Sequence, residues 1–169
     1  MANTFEERFR AEYGDVLRLA RARVAREHAP ISTVTLANEL YLALRGREDK
    51  NFDSRGAFMA YVSRAMRSLL IDMARERMAQ KRSADLVPLS LGLEVPDLGG
   101  TPEQLVAFDE ALNRLKQLDV RLERVAELRV VMGMEIGEIA EVLAVSEPTV
   151  TRDWRRAKAF LIKALGAEP

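Results

Sequence analysis

Five helix-breaking residues, Pro88, Gly92, Pro96, Gly99 and Gly100, fall within the fifteen positions from Leu86 to Gly100. Proline lacks the backbone donor that a helix interior needs, and glycine loses the most conformational freedom on ordering. On both sides of this break, apolar residues recur at helical spacing, and no stretch alternates as a half-buried strand would. The pattern predicts an all-α protein of two small helical domains, residues 1–85 and 101–169, joined by a flexible acidic linker at 86–100. With 169 residues, 48% of them apolar, the chain has enough material for two small cores.

In the first domain the spacing predicts a helix over about Thr4 to Arg26. Phe5, Phe9, Tyr13, Val16, Ala20 and Val24 form its stripe, and Leu17 widens it. Pro30 closes that connection. A second helix starts in the polar run Ser32-Thr33-Val34-Thr35 and reaches Leu44. Arg45 to Asp53 is charged, poor in apolar residues and reads as a loop. Ser54 is placed to cap a third helix reaching about Arg82, along which Phe58, Tyr61, Val62, Ala65, Leu69 and Met73 recur. After the linker, Thr101-Pro102-Glu103-Gln104 has the makings of a capping box with proline in the first turn. A further helix spans about Asp119 to Val131 and stops at Gly133.

Formal net charge is zero, 26 cations against 26 acids, but the distribution is strongly uneven. Arg64 to Arg82 carries six cations against two acids, and Glu147 to Leu165 five against two. Ser83 to Asn113 carries six acids and no Lys or Arg. Local patches set the field a polyanion feels. The chain has no cysteine and a single histidine, His28, so neither a disulfide framework nor a Cys/His metal site is expected. His28 reads as an incidental surface residue. Asp72 and Glu76 are four apart on one helix, but no set of acids, nucleophiles and bases has catalytic spacing. The expectation is therefore no enzyme, no cofactor and no metal. The N-terminus MANTFEERFR has no apolar signal region, and no apolar run approaches the about 18 residues of a membrane span. A cytoplasmic protein without a membrane partner is expected.

Gly133 to Lys158 reads GMEIGEIAEVLAVSEPTVTRDWRRAK. A short amphipathic helix, Glu135 to Leu143, leads through Ala144-Val145-Ser146 into a helix carrying Thr149, Thr151, Arg152, Arg155, Arg156 and Lys158. Ile139, Ala140, Leu143, Val145 and Val150 have the spacing to pack the two helices together, and Trp154 reads as core. That is the layout of a helix-turn-helix, whose second helix lies in the DNA major groove. Arginine can contact guanine bidentately, whereas phosphate contacts mainly fix register; Lys158 fits the latter role.

Four segments together resemble a bacterial RNA polymerase sigma factor of the extracytoplasmic-function (ECF) type. LANELYLAL (Leu36 to Leu44) is similar to the clamp-binding helix of region 2. FDSRGAFMAYVSRAMRSLLIDMARER (Phe52 to Arg77) is similar to the melting and −10-reading helices. LDVRLERVAELRVVMGMEIGEIAEVLAVSEPTVTRDWRRAKAFL (Leu118 to Leu161) is similar to region 4, and the linker stands where larger sigma factors have central domains. The resemblance covers about four-fifths of the chain. RAMRSLLIDMAR and TVTRDWRRAKAFL look most like a subgroup associated with serine/threonine kinases.

The resemblance implies a region 2 bundle of three to four helices and a region 4 helix-turn-helix. Its implied partners are core RNA polymerase, through the clamp coiled coil and the flap, and promoter DNA. Polymerase contacts fall on Leu36, Asn38, Glu39, Tyr41 and Leu42. The −35 contacts fall on Thr149, Thr151, Arg152, Arg155, Arg156 and Lys158. For the −10 element, the corresponding positions are Arg55, Phe58, Tyr61, Arg64, Arg67, Ser68 and Arg75, with Arg77 also able to track phosphates. A melted strand is held by stacking and by cations; Phe58 and Tyr61 can serve that role or the core. Three places, six residues in all, depart from the family pattern. Ser68 stands where many members have Asn, and Ala144 where glycine is common in the turn. Ser32, Thr33, Val34 and Thr35 stand where several acids are typical. A phosphate on Ser32, Thr33 or Thr35 would restore negative charge at a helix N-terminus, so a serine/threonine kinase is a further expected partner; the hydroxyls alone would simply cap the helix. The alternative is a stand-alone helix-turn-helix regulator, which leaves the first domain's helices without a task.

Overall fold

The computed structural model describes residues 3–27, 33–45, 51–80 and 101–166. The expected linker at 86–100, His28 and Ser32 lie outside the described residues. Among the described residues, seven helices carry the fold: α1 Phe5–Glu27, α2 Thr33–Leu44, α3 Arg55–Gln80, α4 Pro102–Leu118, α5 Val120–Val130, α6 Ile136–Leu143 and α7 Glu147–Ala164. A two-residue antiparallel pair joins β1 Asn3–Thr4 to β2 Asn51–Phe52. Most of 45–53 reads as loop in sequence because two residues are too few for an alternating pattern. The pair seats Phe52 in the core, edge-on to Phe58 with ring centroids 5.3 Å apart.

Helix starts follow their capping chemistry. The Ser54 hydroxyl accepts from the Ala57 amide at 3.0 Å. At α4 the capping box is complete: Thr101 Oγ1 accepts from the Gln104 amide at 3.2 Å, and the Thr101 amide donates back to Gln104 Oε1 at 3.0 Å. Asp119 caps α5 by accepting from the amides of Arg121 and Leu122. Each device satisfies amides that the first turn leaves unpaired.

The chain's two halves are in contact. Phe5, Phe9, Val16 and Ala20 of α1, Leu36, Leu40 and Leu44 of α2, and Phe58 and Val62 of α3 are buried. They belong to one apolar cluster that continues into Phe108, Leu112, Leu115, Val125, Leu128, Ile139, Val150 and Leu161 of the second half. The bridge is α3, which packs on α1 and α2 and also on α4, α5 and α6. Its buried positions Phe58, Met59, Val62, Ser63, Met66, Leu70, Ile71 and Ala74 run around more than one face. A helix covered from two sides loses the single apolar stripe that marks a surface helix. Sequence spacing alone therefore points only to the stripe through Phe58, Tyr61, Val62, Ala65, Leu69 and Met73, of which Phe58 and Val62 are fully buried.

Candidate nucleic-acid interface

The turn between α6 and α7 is three residues long. Ala144 adopts φ 53°, ψ 45°, a left-handed conformation that residues other than Gly, Asn and Asp rarely enter. The departure from glycine thus falls on a backbone position that favours glycine. Ser146 then caps α7, its hydroxyl accepting from the Thr149 amide at 3.4 Å. Buried Val150, Ala157 and Leu161 hold α7 against the core. Trp154 is half-buried against the same cluster, matching its expected packing role. On the other side Thr151, Arg152, Arg155 and Arg156 are exposed, while Thr149 and Lys158 are half-buried. Among them, Arg152 keeps 63% of its side-chain area open.

A carboxylate that sequence reading missed pins this helix. Asp153 of α7 is fully buried and accepts from Arg121 Nε at 2.5 Å, tying α7 to the start of α5. Burial of the acid beside a cation turns what reads as one more surface charge into a fastening.

The first-half candidates scatter more widely. Tyr61, Arg64 and Ser68 converge on a cleft of about 450 Å³ between the end of α2 and α3, with Leu44, Leu69 and Asp72 completing much of its wall. Arg75 is exposed further along α3, and Arg77 is half-buried. Phe58 is corrected: it is completely buried among Phe5 and Phe52, so it packs the core and presents no face to a base. Arg55 is engaged by α1, its Nε 3.0 Å from Glu12 and its Nη2 2.5 Å from Asp15. The hydrogen bond from Arg55, opposed by partial burial, holds the Asp15 carboxyl below the usual carboxylate range.

Arg67 departs most from expectation. Its side chain is only 12% exposed. Nε donates to Asp109 Oδ1 at 2.6 Å, Nη1 to Glu123 at 2.8 Å and Glu127 at 3.0 Å, and Nη2 to the Asp109 carbonyl at 3.1 Å and Asn113 Oδ1 at 2.9 Å. Ser63, one turn away and buried, donates to Glu127 at 2.7 Å. Burial works against the charged guanidinium, but hydrogen bonds to Glu127 and Asp109 outweigh it and raise the Arg67 pKa. Glu123 moves the other way from an ordinary paired acid. Burial raises its pKa and the charge of Glu127 adds to this, against the opposing pull of Arg67, Lys116 and Arg64. A signal for this cage existed in the sequence: Glu123 and Glu127, four apart, interrupt the apolar positions Leu122, Val125, Ala126 and Leu128.

The polymerase-side candidates lie on α2. Asn38, Glu39 and Leu42 are exposed, Leu42 by 52%. Leu36 is corrected: it is 1% exposed and belongs to the core, because α2 packs on both α1 and α3. Tyr41 is half-buried and donates to Glu6 at 2.7 Å. Beside it runs a shallow groove of about 320 Å³ lined by Phe9, Tyr13, Asn38 and Tyr41. The first turn of α2 contains no acid, and Thr35 within it is exposed. The side chain of Thr33 lies outside the described residues.

Among the described residues, no helix is long and apolar enough to cross a membrane, and no group of three or more His, Cys, Asp or Glu side chains could hold a metal. The molecule is thus an all-α protein whose last helix turns a row of cations to solvent. The profile of the ECF sigma factor family matches residues 2–166, nearly the whole sequence, and the chain belongs to that family. It is therefore a sigma factor for transcription initiation, a class whose partners are core RNA polymerase and promoter DNA. No curated protein and no solved structure matches the chain.

Proposed function

We propose that the two halves act as regions 2 and 4 of the sigma factor, with boundaries near residues 85 and 101. α6 and α7 form the helix-turn-helix. α7 enters the major groove at the −35 element, with Thr151, Arg152, Arg155 and Arg156 meeting base edges or phosphates, and Thr149 and Lys158 at the margins. The observation that carries this reading is the exposed cation row on a helix fixed from behind by Val150, Asp153, Ala157 and Leu161, in a chain matched to the family nearly end to end.

In the first half, the cleft at Tyr61, Arg64 and Ser68 receives an unstacked base of the −10 element. It offers one aromatic ring, one cation and hydroxyl and carboxylate partners for a base edge. Arg75 tracks the phosphates. The exposed row Asn38, Glu39 and Leu42 on α2 docks on the polymerase clamp, and Tyr41 supports it from the side. Because the first turn of α2 lacks acids, phosphorylation at Thr35 or Thr33 supplies the missing negative charge, and a serine/threonine kinase sets the activity. A stand-alone regulator would use only α6 and α7, whereas the family match extends across α1, α2 and α3 as well.

Transcription from a promoter library with core polymerase tests the whole reading. The expected result is transcription from a restricted set of promoters, enhanced by Thr35→Glu or by kinase treatment and not by Thr35→Ala. Absence of any complex with core polymerase, phosphorylated or not, would end it.

A further inference from the structure

Asp153 is an acid on a helix that turns its cations to solvent, and two arginines share it. Arg121, in the first turn of α5, donates to it through Nε at 2.5 Å and through Nη2 to Oδ1 at 3.4 Å. Arg152, the preceding residue on α7, brings its Nε to 3.8 Å from the same Oδ1. The carboxylate is 0% exposed, yet Arg121 keeps 46% of its side-chain area open and Arg152 63%. Two guanidinium groups from two helices thus stand beside one buried acid, each partly in water. Arg121 has five N–H groups on its guanidinium and gives two of them to Asp153. Among the described residues, no other side chain takes the remaining three. The corner that carries Arg121 also projects. Leu118 and Val120 just before it are 72% and 48% exposed, and Asp119 is turned back to cap the Arg121 and Leu122 amides.

We infer that Arg121 is a further contact to the −35 element, a phosphate-binding side chain on α5, and that Asp153 is the positioning residue that sets Arg121 and Arg152 for the same stretch of duplex. This rests on the proposed role of α7 in the major groove. In a helix-turn-helix the recognition helix fills the groove while a neighbouring helix meets the backbone beside it. Arg152 sits on the recognition helix, and the shared carboxylate holds Arg121 next to it, so a strand touched by Arg152 passes within reach of Arg121. Phosphate contacts of this kind fix register rather than sequence. The acid does not cancel the site. One negative charge beside two positive ones leaves a net positive surface, and burial keeps the carboxylate oxygens away from phosphates. Its effect is preorganisation: both long side chains are ordered before DNA arrives, which lowers the entropic cost of binding. A purely structural pair accounts for less. Val150, Ala157 and Leu161 already hold α7 to the core, and a buried ion pair is weak evidence for stability. Nor does fastening alone explain why Arg121 leaves three of its five donors free.

The test uses the full chain with core polymerase and a promoter duplex selected from the library, with binding followed over a range of salt concentrations well below the unfolding midpoint. Arg121→Gln removes the charge and keeps a long polar side chain. The expected result is a several-fold loss of affinity, the same for every base substitution in the −35 element, with the slope of log affinity against log salt shallower by about one. Arg121→Lys keeps the charge and should keep the parental slope. Duplexes carrying a neutral methylphosphonate at single positions then locate the contact: one replacement should weaken the parent chain and leave Arg121→Gln unaffected. Lys163→Gln, at an exposed position near the far end of α7, is the control and should bind as the parent does. Asp153→Asn should relax base discrimination at the position that Arg152 meets; a parental base profile overturns the positioning role. A parental salt slope in Arg121→Gln, or no phosphate whose neutralisation that variant masks, overturns the contact, and a lowered unfolding midpoint with unchanged binding reduces the pair to a fastening. Arg155→Ala in the same assay separates the two levels of the argument. Weakened binding by Arg155→Ala beside normal binding by Arg121→Gln removes Arg121 alone and leaves the −35 reading standing. Normal binding by both removes that reading and the inference with it.

Discussion

α3 and α7 are both helices rich in arginine, and both are expected to meet DNA, yet they spend their charge differently. On α7 the arginines stand clear of the fold, and the packing is done by Val150, Ala157 and Leu161, with one buried acid, Asp153, tied to Arg121. On α3 two of the expected contact arginines are committed inside the protein: Arg55 to Glu12 and Asp15, Arg67 to the α4–α5 acids. The difference follows from neighbours. α7 is covered on one side only, whereas α3 lies between the two halves, so its cations face either solvent or another helix. A cationic helix is therefore a DNA-binding surface only where no other part of the chain has already claimed its donors.

The sharpest way to break the contrast is to remove Arg67. Truncation to alanine leaves Glu123 and Glu127, each nearly inaccessible, beside Asp109 without their cation. Breaking a buried ion pair from one side costs about 3–5 kcal/mol. Thermal unfolding of Arg67→Ala should show a loss on that scale; a loss within about 0.5 kcal/mol, the level of an ordinary surface change, would mean that the cage contributes nothing. The matching change on α7 should behave oppositely. Arg155→Ala should leave the unfolding midpoint where it is and weaken binding to the −35 element by about 1–3 kcal/mol if the arginine reads a base. A uniform weakening across promoter sequences, with a shallower salt dependence, would assign it to phosphate instead.

These assignments also show how far the sequence could be read. Helix order, the Thr101–Gln104 capping box, the Ser54 cap and the exposed face of α7 follow from local spacing and turn chemistry, which act over four or five residues. What escaped depends on contacts distant in sequence. Arg67 meets Asp109, Glu123 and Glu127 across 42, 56 and 60 positions, and no local rule connects them. The acids from Ser83 to Asn113 read by composition only as a negative patch, but Asp109, in the helix that restarts after the linker, is an anchor for Arg67. The resemblance placed Leu36 on the polymerase-facing surface and left Phe58 between base stacking and the core; burial puts both in the core. The β1–β2 pair was too short to leave a pattern at all.

Ala144 offers a smaller test on the α7 side of the comparison. The left-handed conformation costs an L-residue with a Cβ roughly 1–2 kcal/mol, part of which glycine gives back through its freer unfolded chain. Ala144→Gly should therefore stabilise the protein by about 1 kcal/mol or less, read as a rise in the unfolding midpoint. An unchanged or lowered midpoint would mean that the turn is relaxed as it stands. Arg67→Ala and Ala144→Gly should add in the double variant, because the left-handed turn and the acid cage share no partner.

The smallest expected effect is a change of slope with pH, and it isolates Glu123. Its folded pKa lies above the ordinary 4.5. In the window between 4.5 and the raised folded value, the native chain holds a proton that the unfolded chain has released. Stability from this group therefore falls as pH rises through that window and is constant below it. Asp15 has the opposite sign in a separate, more acidic window. Its folded pKa is below 3.8, so its contribution is present above 3.8 and disappears as pH falls through the depressed value. Glutamine at position 123 cannot titrate, and Asp15 is untouched by the change. The difference in unfolding midpoint between Glu123→Gln and the parent chain should therefore grow in favour of the variant as pH is raised from 4.5, while the Asp15 contribution cancels. Parallel curves would show that Arg67 fully compensates the burial of Glu123, and that the acids of the cage do not strain against one another.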